Sequence, residues 1–121
     1  MDYSFPKELR IRKKKEFEAV YERGAKKIGK FVIVHLLENN LGYPRLGITI
    51  SKKLGKAYVR NRWKRLIREI FRLNKQKLPP MDIVITVKKG YKPPKYKELE
   101  EDILLTIVTK GEKNESQEIN S

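Results

Sequence analysis

Apolar residues recur at the spacing of an α-helix in three parts of the chain. In the central part, six apolar side chains from Val59 to Phe71 fall on one helical face. This pattern predicts a helix that packs against a core and stops before Pro79 and Pro80. In the first part, Gly24 follows the last apolar position and is the expected C-cap. The sequence predicts a basic lead-in and then a short helix within residues 8–23, and further helices over residues 56–75 and 96–110.

Three other apolar segments have the composition of β-strands. Residues 31–37 form a β-rich apolar run followed by turn residues, which predicts a strand that enters a hairpin-like turn. Residues 45–51 alternate between apolar and polar positions, so one face should be core and the other should meet solvent or a ligand. Residues 83–87 predict a strand after the central helix. The order is helix, two or three strands, helix, strand, helix, which indicates an α+β, two-layer sandwich with helices mainly on one face of a small sheet.

The length and composition indicate one domain without disulfides. The 121 residues are enough for a single core, and we expect one domain over residues 1–110 and a polar, disordered tail over residues 111–121. Cysteine is absent, which agrees with a reducing compartment. No apolar run reaches the roughly 20 residues of a membrane span, and the N-terminus lacks the apolar core of a signal peptide. The sequence therefore predicts a cytoplasmic protein without a membrane partner.

The charge is strongly positive and unevenly distributed. A formal net charge of +14 and a sequence pI near 10.0 indicate a surface that meets RNA, DNA or an anionic membrane. Acidic residues collect after residue 97, so we expect the binding surface to exclude the C-terminal segment.

The central helix and the residues before it concentrate this charge. Between residues 51 and 71 there are eight Lys or Arg residues and one acid, Glu69. Arg60, Lys64, Arg68 and Arg72 recur at every fourth position, which predicts a stripe of cations suited to a phosphate backbone. The alternative is a solvated helix face, but such a face usually mixes Glu with Lys, and this one does not.

The chain offers little catalytic chemistry of its own. His35 is the only histidine and lies within an apolar strand, so a packing or contact role is favoured over catalysis. Asp2, Asp82 and Asp102 lack metal-ligand spacing, and no phosphate-binding glycine loop is present. An enzyme that acts without a partner is not expected.

Three aromatic residues have two possible roles each. Phe17 and Tyr21 lie four residues apart on one helical face and could stack on single-stranded bases, although periodicity alone favours packing in the core. Trp63 lies on the apolar stripe of the central helix, so we interpret it as a core residue despite its cationic neighbours.

The segment Arg60-Asn61-Arg62, followed by Lys64-Arg65, resembles the RNR signature of the bacterial ribonuclease P protein component. Residues 45–53 resemble the strand and lysines that precede this signature, and residues 81–85 resemble the strand that follows it. Residues 9–24 fit the opening of the family, so the resemblance covers residues 7–110.

This resemblance implies a subunit of a ribonucleoprotein endonuclease that removes the 5′ leader from precursor tRNA. The RNA subunit would be the catalyst and would use most of the Mg²⁺, and the protein alone would be inactive. One protein would bind one RNA subunit and precursor tRNA. The implied fold has the order α-β-β-β-α-β-α, with the RNR helix in a left-handed crossover between parallel strands.

The resemblance also implies two groups of site residues. The residues that would contact the RNA subunit are Lys52, Lys53, Lys56, Arg60, Asn61, Arg62, Lys64, Arg65 and Arg68. Those that would line a cleft for the leader, between the first helix and the sheet, are Phe17, Tyr21, Val32, Val34, Thr49 and Ser51. Asn61 is also a candidate metal contact.

Other functions are compatible with the residues alone. A ribosomal-type structural RNA-binding protein would share the small size, the charge and the fold class. A DNA-binding helix module fits less well, because no helix-turn-helix partner precedes the central helix. A nuclease that acts alone would need the catalytic groups that the chain lacks.

Overall fold

The computed structural model describes residues 6–108, which form an α+β fold with one mixed sheet. The predicted tail over residues 111–121 lies outside the described residues, as does the end of the third predicted helix. None of the helices in residues 6–108 is long and apolar enough to cross a membrane. The elements are α1 (Lys14–Arg23), β1 (Ala25–Ile28), β2 (Val32–Glu38), β3 (Arg45–Thr49), α2 (Ala57–Asn74), β4 (Met81–Val87) and α3 (Tyr96–Val108), with short 3₁₀ turns at Lys7–Leu9 and Lys52–Leu54.

The order of elements is α-β-β-β-α-β-α, as predicted, and the strands lie in the sheet in the order β1-β2-β4-β3. β4 pairs antiparallel with β2 and parallel with β3. Helix α2 joins the two parallel strands, which confirms the crossover; its left-handed sense stays a prediction. The hairpin-like turn expected after β2 is wrong, because β4 lies between β2 and β3. Instead, β2 forms a hairpin with β1, a strand that the sequence pattern does not predict.

β4 is one of the two inner strands of the sheet, and it is apolar on both faces. Ile83 and Ile85 face one side and Val84 faces the other, and all three are buried. Helices α2 and α3 cover one of these faces and α1 covers the other, while β2 and β3 pair with the two edges of β4. The turn residues after β2 set only where that strand ends, so they could not reveal this insertion.

The main core lies between the sheet and the pair α2 and α3. Trp63 and Ile67 of α2 are completely buried, together with Leu99 of α3, and they pack on the inward-facing residues of β2, β3 and β4. The prediction that Trp63 is a core residue is confirmed. Each such side chain contributes about 1.5–3 kcal/mol by leaving water, so α2 is held firmly along one side.

Helix α1 packs on the opposite face of the sheet. A smaller cluster forms there from Ile11, Val20 and Val84, with Phe17 and Leu37 at its margin. Gly24 is the C-cap of α1, as predicted. Two helices thus share one face, and the third covers only part of the other face.

A charged network attaches the start of α1 to the sheet. Asp82 on β4, which is 6% exposed, accepts hydrogen bonds from Arg45 Nε and Nη2 at 2.8 and 2.7 Å. Arg45 Nη1 donates to Glu16 of α1 at 3.1 Å, and the Asn39 amide donates to Asp82 at 2.9 Å. Burial alone would raise the pKa of Glu16, but the hydrogen bonds from Arg45 and from the Lys13 backbone lower it below its usual value.

Two acidic residues of α3 also serve the fold. Asp102 accepts the backbone N–H groups of Lys30 and Phe31, both at 2.7 Å, and so ties the β1–β2 turn to α3. Glu100 accepts a hydrogen bond from the buried Asn74 amide at 2.9 Å, which joins α3 to the end of α2. These carboxylates therefore have partners within the protein.

We predict that Asp82→Ala lowers the free energy of unfolding by about 3–5 kcal/mol, because it leaves the partly buried Arg45 guanidinium without its main partner. Urea denaturation measures this loss. The control is Glu18→Ala at an exposed position of α1, which should change stability by less than about 0.5 kcal/mol. A loss below about 1 kcal/mol for Asp82→Ala would show that water replaces the carboxylate.

Candidate nucleic-acid interface

The outer side of α2 presents the densest exposed positive charge of the predicted site. Arg62, Arg65 and Arg68 are exposed, as is Asn61. Among residues 6–108, Arg65 and Arg68 have no hydrogen-bond partner, so their guanidinium groups are available to a ligand. Because the opposite side of α2 is fixed in the core, these groups project from a rigid support.

The stripe at every fourth position is less uniform than predicted. Arg60 is half-buried and its Nε donates to the Gly55 carbonyl oxygen at 3.2 Å, so part of its donor capacity serves the loop before α2. Lys64 is half-buried as well. Arg72 pairs with Glu69 at 2.6 Å. Of the four stripe positions, Arg68 is the one that the structure leaves exposed and without such a bond.

A lysine-bearing turn extends this surface ahead of α2. Ser51 Oγ accepts the backbone N–H of Lys53 at 3.1 Å and so starts the short 3₁₀ turn. Lys52, Lys53 and Lys56 are all exposed. The predicted RNA-subunit residues therefore lie along one continuous stretch of loop and helix. Ser51 contributes to that stretch by holding the turn.

A second surface lies where α1 meets the sheet. The Tyr21 hydroxyl is hydrogen-bonded to Thr49 Oγ1, and the Tyr21 ring meets the His35 ring edge-on, with centroids 5.0 Å apart. Phe17 lies over Gly47, where an added Cβ would come within 2.7 Å of the ring. Tyr21 remains 39% exposed. The structure thus brings Phe17, Tyr21 and Thr49 together, as predicted.

The placement of Val32 and Val34 in this cleft is wrong. Both are completely buried in the main core, on the face of β2 that meets α2 and α3. Neighbouring residues of a strand point to opposite faces, so the cleft side of β2 carries Ile33 and His35 instead. The strand register confirms this, because His35 lies opposite Val84, the residue that packs under α1. Sequence analysis missed His35, although its polarity marks the less buried side of the strand.

A groove connects the two surfaces. Phe17 of α1 and Lys64 and Arg68 of α2 border the same depression at the edge of β3, so the cleft and the basic helix face are contiguous on this side. The residues that line the groove are Arg10, Ile11, Arg12, Phe17, Leu46, Ile48, Lys64 and Arg68.

Comparison with known proteins decides the family. The family model described as Ribonuclease P matches residues 5–110. The chain belongs to the ribonuclease P protein family. The ribonuclease P protein component of Syntrophus aciditrophicus is 42% identical over 113 residues, which cover 93% of this chain and 94% of that one. That of Photorhabdus laumondii is 46% identical over 88 residues, covering 72% and 74%.

A solved structure supports the same assignment. The RNase P protein from Thermotoga maritima superimposes with a TM-score of 0.75 at 32% identity, covering 84% of this chain and 98% of that chain. Its fold therefore agrees with the α+β arrangement described above. The comparisons favour ribonuclease P over the ribosomal-type alternative, and they make this chain an RNA-binding protein of tRNA processing.

The surroundings of Asn61 do not fit a magnesium site formed by this ribonuclease P protein alone. Asn61 shares a notch with three arginines, and the one carboxylate there, Glu69, is paired with Arg72. A divalent cation prefers several oxygen ligands and would be repelled by the guanidinium groups. Within residues 6–108, no three His, Cys, Asp or Glu side chains form a group that could hold a metal ion.

His35 is held in its neutral form by its surroundings. Burial lowers its pKa below 6.5, and the positive charge of Lys26, its partner on β1, lowers that pKa further. Its Nδ1 is buried without a hydrogen-bond partner among the described residues. A neutral imidazole next to Tyr21 leaves the cleft polar without adding a charge.

We predict that the His35 imidazole titrates below pH 6.5 in the folded protein. Because the unfolded chain binds this proton more readily, wild type should lose stability relative to His35→Gln as the pH falls below 6.5. NMR titration of the imidazole Cε1 proton measures the pKa, since the chain has one histidine. Lys26→Gln should raise the value, and a wild-type pKa above 6.5 would contradict the described burial.

Proposed function

We propose that this ribonuclease P subunit binds the catalytic RNA through α2 and the 5′ leader of precursor tRNA through the cleft beside α1. The observation that carries the proposal is that one rigid sheet supports two surfaces of different chemistry. One surface is a cationic helix face, and the other is a cleft lined by aromatic side chains, of which Tyr21 is exposed. One protein would serve one RNA subunit.

The face of α2 suits a structured RNA backbone. Exposed guanidinium groups offer paired, planar donors to phosphate oxygens, and the helix presents three of them, on Arg62, Arg65 and Arg68. The acid beside them, Glu69, is paired with Arg72. Because α2 is fixed against the core, RNA binding would need little further ordering of the helix. This surface would therefore position the protein on its RNA subunit.

The cleft suits a single strand. Tyr21 keeps part of its ring exposed while Thr49 holds its hydroxyl, so a base could stack on a ring of fixed orientation. His35 and Thr49 add polar groups to the same wall, and the phosphates of the strand could follow the basic groove toward Arg68. In a paired stem the base faces already stack on one another, so they are not available to these rings. The unpaired leader is the part of precursor tRNA that meets this requirement.

The protein would act by binding, and the RNA subunit would supply the catalytic chemistry. Within residues 6–108, His35 has no hydrogen-bonded catalytic partner, and the carboxylates of Glu16, Asp82 and Asp102 are engaged in the fold. A chain of charge +14 reduces the repulsion between the RNA subunit and its RNA substrate. Mg²⁺ screens the same repulsion, so the contribution of the protein should depend on how much Mg²⁺ is present.

We predict that the protein alone does not cleave precursor tRNA and that it stimulates its RNA subunit most at low Mg²⁺. Cleavage is measured with the RNA subunit alone, the protein alone and both together, over a series of Mg²⁺ concentrations. Equal stimulation at all concentrations would contradict charge compensation. Cleavage by the protein alone, after removal of trace nucleases, would support a nuclease that acts without RNA.

We also predict that Tyr21→Ala weakens binding of precursor tRNA to the holoenzyme by about 1–3 kcal/mol, the usual value of one base–aromatic stack. Mature tRNA lacks the leader, so its affinity should not change. Tyr21→Phe keeps the ring but loses the bond to Thr49, and it should retain most of the affinity. The measurement is the affinity of both tRNAs for each holoenzyme.

Tyr21 is a sharper probe of the cleft than Phe17. Phe17 packs on Gly47 and also borders the groove that reaches Arg68, so its removal would disturb both surfaces. Equal losses for precursor and mature tRNA with a folded Tyr21→Ala holoenzyme would contradict the leader assignment. A fall in thermal stability together with both losses would assign Tyr21 to the core.

A further inference from the structure

Tyr58 is the most exposed large hydrophobic side chain in residues 6–108, with 73% of its surface accessible. It is the second residue of α2, directly after the lysine-bearing turn. Single exposed apolar residues are common on protein surfaces, so exposure alone carries no function. The position of Tyr58 among the cations of α2 is the informative feature.

Helical geometry places Tyr58 within the basic face of α2. Asn61 and Arg62 follow it by three and four residues, and Arg65 follows it by seven, so all three lie on its side of the helix. The core stripe through Trp63 and Ile67 lies on the other side. Tyr58 is thus the aromatic residue at the N-terminal end of the exposed cationic surface.

Tyr58 has no partner within the described residues, in contrast to three other tyrosines. Tyr21 bonds to Thr49, Tyr91 meets Phe31 edge-on, and Tyr96 donates to Glu100. With 73% of its surface accessible, the Tyr58 side chain is available to a ligand.

We propose that Tyr58 stacks on an unpaired nucleobase of the RNA that α2 binds. This rests on the proposed function, and it adds a base contact to a surface otherwise suited to phosphates. An RNA supplies both kinds of group that the surface requires, namely phosphates for the arginines and flat π faces for the ring. A protein that covered Tyr58 with an apolar surface would bury the neighbouring cations without an opposite charge.

The test compares Tyr58→Leu and Tyr58→Phe for affinity to the ribonuclease P RNA subunit at several salt concentrations. Leucine keeps an apolar side chain but cannot stack, so affinity should fall about 5- to 150-fold. Phenylalanine should stay within about threefold of wild type. The slope of affinity against salt should not change for either variant, because no charge is lost. Circular dichroism and thermal unfolding confirm that each variant is folded.

Two control variants separate this proposal from the proposed function. Tyr43→Leu removes an exposed tyrosine from the turn between β2 and β3 and should leave affinity unchanged. Arg65→Ala should weaken binding and reduce the salt slope by about one phosphate contact. If Arg65→Ala has this effect but Tyr58→Leu binds like wild type, stacking is overturned and the RNA role of α2 stands. If neither variant affects binding, both are overturned.

Fluorescence gives a direct readout of stacking. Tyr58→Trp places an exposed indole at this position, whereas the native Trp63 is completely buried. Stacking on a base should quench the new emission when the RNA subunit is added, beyond any change seen with the wild-type chain. Emission that does not respond to saturating RNA would overturn the proposal.

Discussion

The fold depends on the burial of one side of α2 against the sheet. Trp63, Ile67 and Ile70 are removed from water there, while the cations of the same helix are too costly to bury without partners. Helical geometry therefore places these cations on the opposite, exposed side of α2. The apolar stripe therefore has two roles. It stabilises the protein, and by fixing the rotation of α2 it also orients Arg62, Arg65 and Arg68 toward solvent.

The other surface depends on how α1 is attached. Its small apolar cluster is supplemented by the network of Glu16, Arg45 and Asp82, which sets where the helix begins, and by Gly47, which lets Phe17 approach the sheet. Because α1 covers only part of this face, the rest stays open beside Tyr21. A longer apolar face on α1 would close the cleft. Its partial cover is what leaves polar and aromatic groups exposed side by side.

Sequence reasoning could predict α2 and its basic face because a single helical period separates the buried residues from the exposed ones. It could not assign the faces of β2, because residues 32–37 are nearly all apolar and alternation carries no signal there. The family resemblance places Val32 and Val34 in the cleft, and the strand pattern gives no signal that would replace them with His35. Local sequence patterns also could not predict that β4 inserts between β2 and β3, since strand pairing joins residues that are far apart along the chain.

The two surfaces are physically coupled by the groove that Phe17, Lys64 and Arg68 share. Its cationic lining residues would attract phosphates, so under the proposed function a strand that leaves the cleft would be drawn toward α2. The acidic residues of α3 lie away from this path, because α3 packs on β1, β2 and α2, whereas the groove lies at the edge of β3. Under the proposed function, the protein would thus favour an arrangement in which substrate and catalytic RNA lie side by side, although phosphate repulsion alone would keep them apart.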